Sequence, residues 1–268
     1  MPEGDTIYRT AARLRPILAG QTIEHARSRD PALNVAQLVG RKLSGVEARG
    51  KHLLFHLDDG GALHSHMGMT GSWHLYRPGE RWQKPEHRAA IVLEVPGHVV
   101  VCFSPEVLEL LTAATLRRHE HLQTLGPDVL SGTLDSAEVL RRFRASDALP
   151  LGEAVMNQRI VCGIGNIYKS ETLFLAKANP FATVGEFSDE RMIEIVERAQ
   201  ALMSANLDGA SRRTRPALSG PRMWVYGRSG EPCFNCGTTI ELRRQGDLGR
   251  TTYWCPQCQG HPEVRGSA

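Results

Sequence analysis

The chain has 268 residues, a formal charge of +3, 41% hydrophobic and 23% charged residues. This is the balance of a folded, water-exposed protein and excludes collagen-like, mucin-like or wholly disordered chains. No apolar run approaches the roughly 18 residues needed to span a bilayer. Glu3 and Asp5 precede no apolar core, so no signal peptide is expected and the cytoplasm is the expected compartment. The length suggests more than one domain.

An opening helix is predicted from Ile7, Ala11, Leu14 and Leu18, with Asp5 or Thr6 as cap and Gly20 at its end. From Gln21 to Phe103 short strands follow. Lys51–Leu57 and Ala62–Met67 flank an Asp-Asp-Gly-Gly turn, and Ala89–Val95 and His98–Phe103 flank Pro96-Gly97. Two hairpins among several strands predict a β-sandwich or barrel. After Leu111 the pattern turns helical. Leu125-Gly126-Pro127-Asp128 reads as a boundary, with Asp128 a possible cap. Helices are predicted over Ser136–Phe143, Leu151–Asn157, Ile167–Lys177 and Asp189–Leu207. In the last of these Met192, Val196, Ala199 and Met203 share a face. Ala210–Arg222 reads as an exposed loop, and the last forty residues as small strands around cysteines.

Four of the six cysteines form two CxxC pairs, Cys233/Cys236 and Cys255/Cys258, with 18 residues between them. Such spacing lets two tight turns present four thiolates to one structural Zn²⁺, with no open position for catalysis. Two redox pairs or free thiols are the plainer alternative. Cys162 reads as a small buried residue. Arg212, Arg213, Arg215, Arg222 and Arg228, with Arg243, Arg244 and Arg250 on the cysteine hairpin, form either a phosphate-binding surface or a solvated face. Gly163-Ile164-Gly165-Asn166 precedes a helix, where backbone N–H groups favour an anion, although an ordinary helix connection looks the same. Removal of Met1 would expose the secondary amine of Pro2, able to form an iminium with an aldehyde-level carbon, beside Glu3 as general acid or base. From these two residues alone, a plain helix start is the simpler reading.

Taken together, five segments resemble the formamidopyrimidine-DNA glycosylase/endonuclease VIII family, and do so nearly end to end. They are Met1-Pro2-Glu3-Gly4, Arg49-Gly50-Lys51-His52-Leu53-Leu54, His66-Met67-Gly68-Met69-Thr70-Gly71, Gly163-Ile164-Gly165-Asn166-Ile167-Tyr168 and the run from Arg250 to Gln259. The resemblance implies a multidomain α+β fold. An N-terminal helix and β-sandwich would span 1–118, a helix–two-turns–helix domain 125–222, and a four-cysteine zinc finger 223–260. It implies a monomeric glycosylase and abasic-site lyase acting on damaged DNA, with one structural zinc. Pro2 would be the nucleophile and Glu3 the proton donor at the sugar. Lys51, His66, Asn166 and Arg250 would hold the backbone phosphates, and Met69 would fill the gap left by an everted base.

Pro-Glu-Gly at the start looks like the endonuclease VIII branch, whereas Met67-Gly68-Met69 looks more like the purine branch. The segment Phe103-Ser104-Pro105-Glu106-Val107-Leu108 lacks the Arg-Arg-Phe loop of the purine branch. Oxidised pyrimidines are therefore the favoured substrate class, with purine-directed excision as the alternative. A non-catalytic zinc-finger DNA binder and a zinc-ribbon RNA-binding module are the competing classes. The paired presence of Pro2 and Glu3 argues against both.

Overall fold

The computed structural model describes residues 2–209, 211–217 and 219–260; Met1, Ala210 and Leu218, which the sequence reading invoked, lie outside them. Contacts divide the chain into two compact units, which meet in sequence between Thr124 and Leu125.

The first unit begins with α1 (Gly4–Leu18), whose Ile7, Ala11, Leu14 and Leu18 enter the core. The expected caps are corrected. Glu3 occupies the N-cap without a side-chain capping bond, and Asp5 is buried in the first turn. Two four-stranded antiparallel sheets follow. One has the order β1 (His25–Ser28), β6 (Ala89–Val95), β7 (His98–Phe103), β5 (Ser72–Tyr76). The other runs β2 (Leu43–Arg49), β3 (His52–Leu57), β4 (Ala62–His66), β8 (Val107–Leu111). Side chains alternate across a strand, so Leu53 and Phe55 of β3 meet Ile91 and Leu93 of β6 in one core between the sheets. On the far face of the first sheet Val92, Val101 and Phe103 form a smaller cluster under Trp82. Two short helices close the unit, α2 (Ala113–Arg118) and α3 (Glu120–Gln123).

The second unit holds α4 (Ser136–Arg144), α5 (Leu151–Ala154), α6 (Asn166–Leu175) and α7 (Asp189–Ser204). Met192, Ile195, Val196, Ala199 and Met203 of α7 are buried in its core. Asp128 caps no helix. Its carboxylate accepts the Leu130 N–H in a turn, and Asp135 caps α4 through the Glu138 N–H at 3.0 Å. α5, α6 and α7 all end earlier than their periodicity predicts, at Ala154, Leu175 and Ser204. Beyond α6, Lys177 turns left-handed at φ 54°. The hairpin β9 (Glu241–Gln245) and β10 (Arg250–Trp254), with α8 (Pro256–Gln259), carries the cysteines. Val225, Cys233, Ile240 and Cys255 pack with Phe174 of α6 in a shared cluster, so the finger rests on the helices of its own unit.

Candidate active site and metal centre

At the start of the first unit Glu3 is 0% exposed, while Pro2 is half-buried. The Glu3 carbonyl accepts the Thr6 and Ile7 N–H groups at 2.9 and 3.2 Å, fixing Glu3, directly after Pro2 in the chain, at the positive end of α1. That field favours a carboxylate at Glu3 and disfavours a protonated amine at Pro2.

Lys51 lies in the tight β2–β3 turn, after Gly50 at φ 58°. His66 ends β4, with its Nδ1 3.1 Å from Glu106 Oε2. Burial holds the His66 imidazole below its usual pKa, against the opposing pull of Glu106. The next turn presents Met69. The Gly71 N–H bonds the Met67 carbonyl at 2.9 Å, and a Cβ at Gly71 would sit 2.3 Å from that oxygen. A Cβ at Gly68 would meet Glu106 at 2.7 Å. The turn therefore needs both glycines, and it sorts its two methionines: Met67 is 4% exposed and in the core, Met69 63% exposed. In place of an Arg-Arg-Phe loop, three residues join β7 to β8. Ser104 is left-handed at φ 44°, and the Glu106 N–H bonds the His66 carbonyl.

In the second unit Asn166 opens α6 behind a turn braced by Gln158, which accepts the Gly163 N–H and donates to the Ile164 carbonyl, both at 3.0 Å. Asn166 Nδ2 donates to Thr251 Oγ1 at 3.1 Å, and Lys169 Nζ donates to Thr252 Oγ1 at 2.7 Å. Arg250, directly before Thr251, is exposed at the start of β10.

The four Sγ atoms of Cys233, Cys236, Cys255 and Cys258 lie within 4.8 Å of one another. The Cys236 and Cys255 sulfurs are 3.5 Å apart, as are those of Cys236 and Cys258, while Cys233 and Cys258 are 3.9 Å apart. A tetrahedron with Zn–S bonds of about 2.3 Å has edges of about 3.8 Å, and a disulfide would need about 2.05 Å. The donor set thus fits a metal and no disulfide. Cys102 and Cys162 are buried singly, and burial pushes the Cys102 thiol strongly up.

Comparison with known proteins agrees with this arrangement. A family model described as the formamidopyrimidine-DNA glycosylase N-terminal domain matches residues 1–106, and one described as the H2TH domain of that enzyme matches 125–215. A probable endonuclease 8 2 of Streptomyces coelicolor is 40% identical over 99% of this chain and 96% of its own. The chain belongs to the formamidopyrimidine-DNA glycosylase family. A DNA-(apurinic or apyrimidinic site) lyase Nei2 of Mycolicibacterium smegmatis is 36% identical, over 97% of this chain and 99% of its own. The crystal structure of the MutM (Fpg) protein of Thermus thermophilus superposes with a TM-score of 0.80 at 32% identity, covering 97% of this chain and 99% of that one.

Within this glycosylase fold the basic segment is not one surface. Arg228 is 4% exposed. It pairs with Glu231 at 2.9 Å, donates to the Pro232 carbonyl at 2.8 Å and lies over the Phe234 ring. It is a structural arginine, not a phosphate ligand. Arg212 stacks on Tyr168 and Arg215 on Phe234, with guanidinium carbons 5.0 and 4.0 Å from the ring centres. Sequence reasoning missed Glu171. Its buried carboxylate accepts the N–H groups of Trp224, Val225 and Tyr226 at 2.7–2.9 Å and the Thr214 hydroxyl, so it anchors both ends of the arginine-bearing segment. It also missed the group formed by His52, His64, Glu109 and His119.

Proposed function

We propose that the chain is a bifunctional DNA glycosylase and abasic-site lyase of base excision repair. Oxidised pyrimidines are its favoured lesions. The observation that carries this reading is the N-terminal pair: a half-buried proline next to a fully buried glutamate at the positive end of a helix. A DNA-binding relative that had abandoned catalysis would have no need to bury that carboxylate.

In this reading the Pro2 amine, free once Met1 is removed, attacks C1′ of the damaged nucleoside. As the new N–C1′ bond forms the bond to the base breaks, and the base leaves as an anion that takes a proton from solvent. The Glu3 carboxylate accepts the proton released by the Pro2 nitrogen and delivers it to the ring oxygen, so the C1′–O bond opens and the sugar remains as an iminium on Pro2. Loss of the C2′ proton then expels the 3′ phosphate, and a second elimination expels the 5′ phosphate. Hydrolysis of the remaining imine returns the free amine. Lys51 and His66 on the first unit, and Asn166 and Arg250 on the second, hold phosphates. Such contacts position the duplex without reading its sequence. Met69, exposed at a glycine-fixed turn, replaces the everted base in the stack. The four cysteines would hold one Zn²⁺, which braces the hairpin bearing Arg250. The segments 1–118, 125–222 and 223–260 divide this work into chemistry, backbone binding and finger.

Incubation with duplexes containing an oxidised pyrimidine, 8-oxoguanine or an abasic site tests the reading. Strand cleavage leaving phosphates on both ends, faster on the pyrimidine lesion than on the purine, is the expected result. Tight binding without cleavage of any duplex would identify a binding protein instead.

A further inference from the structure

One face of the β2–β3–β4–β8 sheet enters the core. The opposite face gathers His52 of β3, His64 and His66 of β4 and Glu109 of β8, with His119 at the start of α3. His52 Nδ1 lies 2.9 Å from His64 Nε2, and His64 Nδ1 lies 2.7 Å from Glu109 Oε1. His119 Nε2 approaches the same oxygen at 2.9 Å.

Proton placement follows from one fact: an ionised carboxylate only accepts. Glu109 is ionised: burial would raise its pKa, but hydrogen bonds from His64 and His119 together outweigh burial and lower it. His64 therefore carries its proton on Nδ1 and a lone pair on Nε2. That lone pair takes the N–H of His52 Nδ1, which leaves the His52 lone pair on Nε2. No hydrogen bond reaches that nitrogen among the described residues. The carboxylate thus sets the polarity of a three-membered chain ending at His52.

His52 is the cross-strand neighbour of His66, with ring centres 5.0 Å apart, and follows Lys51 directly. In the proposed function Lys51 and His66 meet backbone phosphates, and the present inference rests on that reading. A phosphate oxygen repels an imidazole lone pair and bonds to it only through a proton. We propose that His52 binds a DNA backbone phosphate by taking up a proton, with the new charge passed through His64 to Glu109.

The free protein is poised for this. Burial first, and then the neighbouring His64, His66, His119 and His121, hold His52 down to about 3, so it is neutral at pH 7. Lys51, Glu47 with its partners Arg49 and His56, and Glu106 paired with His66 also lie on or beside this face. An arriving phosphate reverses the balance at Nε2. His64 Nδ1, Glu109 and His119 Nε2 also lie within 4.8 Å, a spacing that suits a cation. His119 argues against one. Its Nδ1 accepts the Leu122 N–H at 3.3 Å, so its proton sits on Nε2, where a metal would have to bind.

Calorimetric titration of the full chain with an abasic-analogue duplex, in buffers of different ionisation enthalpy at pH 7, counts the protons taken up. Wild type should take up about one proton more than His52→Gln or Glu109→Gln, since each coupled proton steepens binding by about tenfold per pH unit. Equal uptake by wild type and His52→Gln would overturn the proposal, even if Glu109→Gln fails to fold. So would cobalt binding, beyond the equivalent held by the cysteines, that disappears in Glu109→Gln. Borohydride trapping of the same wild-type sample with abasic DNA separates the two levels. Trapping with equal uptake overturns only the phosphate inference, and no trapping overturns the enzymatic reading.

Discussion

Asn166 Nδ2 donates to Thr251 Oγ1 at 3.1 Å, so the first residue of α6 is tied to the finger strand one position after Arg250. Residues 85 apart in sequence thereby share one local geometry, and phosphate contacts assigned to each would be set together. Arg250→Ala should weaken binding to damaged and undamaged duplexes alike and lower the salt slope by about one unit. Thr251→Val, which keeps shape and removes the acceptor, should weaken binding less and leave the slope unchanged. Binding isotherms at several salt concentrations check both. A loss confined to lesion DNA would contradict the assignment to backbone.

Met69 is exposed, so its truncation has little packing to lose. Met69→Ala should leave the melting temperature nearly unchanged, in contrast to the about 2–5 kcal/mol typical of a buried methionine. Excision from duplex should fall, while cleavage of a single-stranded lesion should change little, because no stack needs filling there. Met67→Ala, in the core, should show the opposite pattern. Thermal melting run beside excision on both substrates decides the matter, and equal loss on both would refute the wedge.

Cys233→Ser or Cys255→Ser should remove about one equivalent of Zn²⁺, as metal analysis would read it. The shared cluster of Cys233, Cys255, Val225 and Phe174 extends the damage to the face of α6 beneath the finger. DNA affinity should drop and amide exchange should rise over 223–260 and in α6, while the β-sandwich stays protected. Purified wild type without zinc would remove the premise.

Much of this was legible in the chain. The Asp-Asp-Gly-Gly and Pro96-Gly97 turn signals marked both hairpins, the helical stripe of α7 marked its buried face, and the CxxC spacing marked the sulfur cluster. What escaped depends on contacts distant in sequence. Asp128 and Asp135 look equally able to cap, and only the chain path beside Cys162 commits Asp128 to a turn. Arg228 looks like its neighbours until Glu231, Pro232 and Phe234 enclose it. Glu171 sits inside an apparently ordinary helix and meets backbone more than 40 residues away. Histidines at 52, 64 and 66 share a face only once β3 pairs with β4 in this register. Alternation hints at such a face; pairing decides it.

The histidine face also fixes a pH dependence. His52 in the folded chain sits at about 3 against 6.5 when unfolded, and His64 and His66 are lowered too, burial being the largest cause for each. The unfolded chain then binds more protons below about pH 6.5, so the stability contributed by these groups is full above that pH and is lost as pH falls toward about 3. The melting temperature of DNA-free protein should decline from about pH 6.5 downward, less steeply in His52→Gln. A flat profile down to about pH 5, or identical slopes in both proteins, would contradict it.

The central claim is that the Pro2 amine carries the covalent chemistry, and borohydride trapping with abasic-site duplex tests it most directly. Wild-type protein freed of Met1 should give a covalent protein–DNA complex whose cross-linked peptide begins at Pro2. Pro2→Gly should trap less, and a chain with its N-terminus blocked by an extension should trap none. Undiminished trapping by the blocked chain would contradict the account and move the nucleophile to an internal amine, with Lys51 the first candidate.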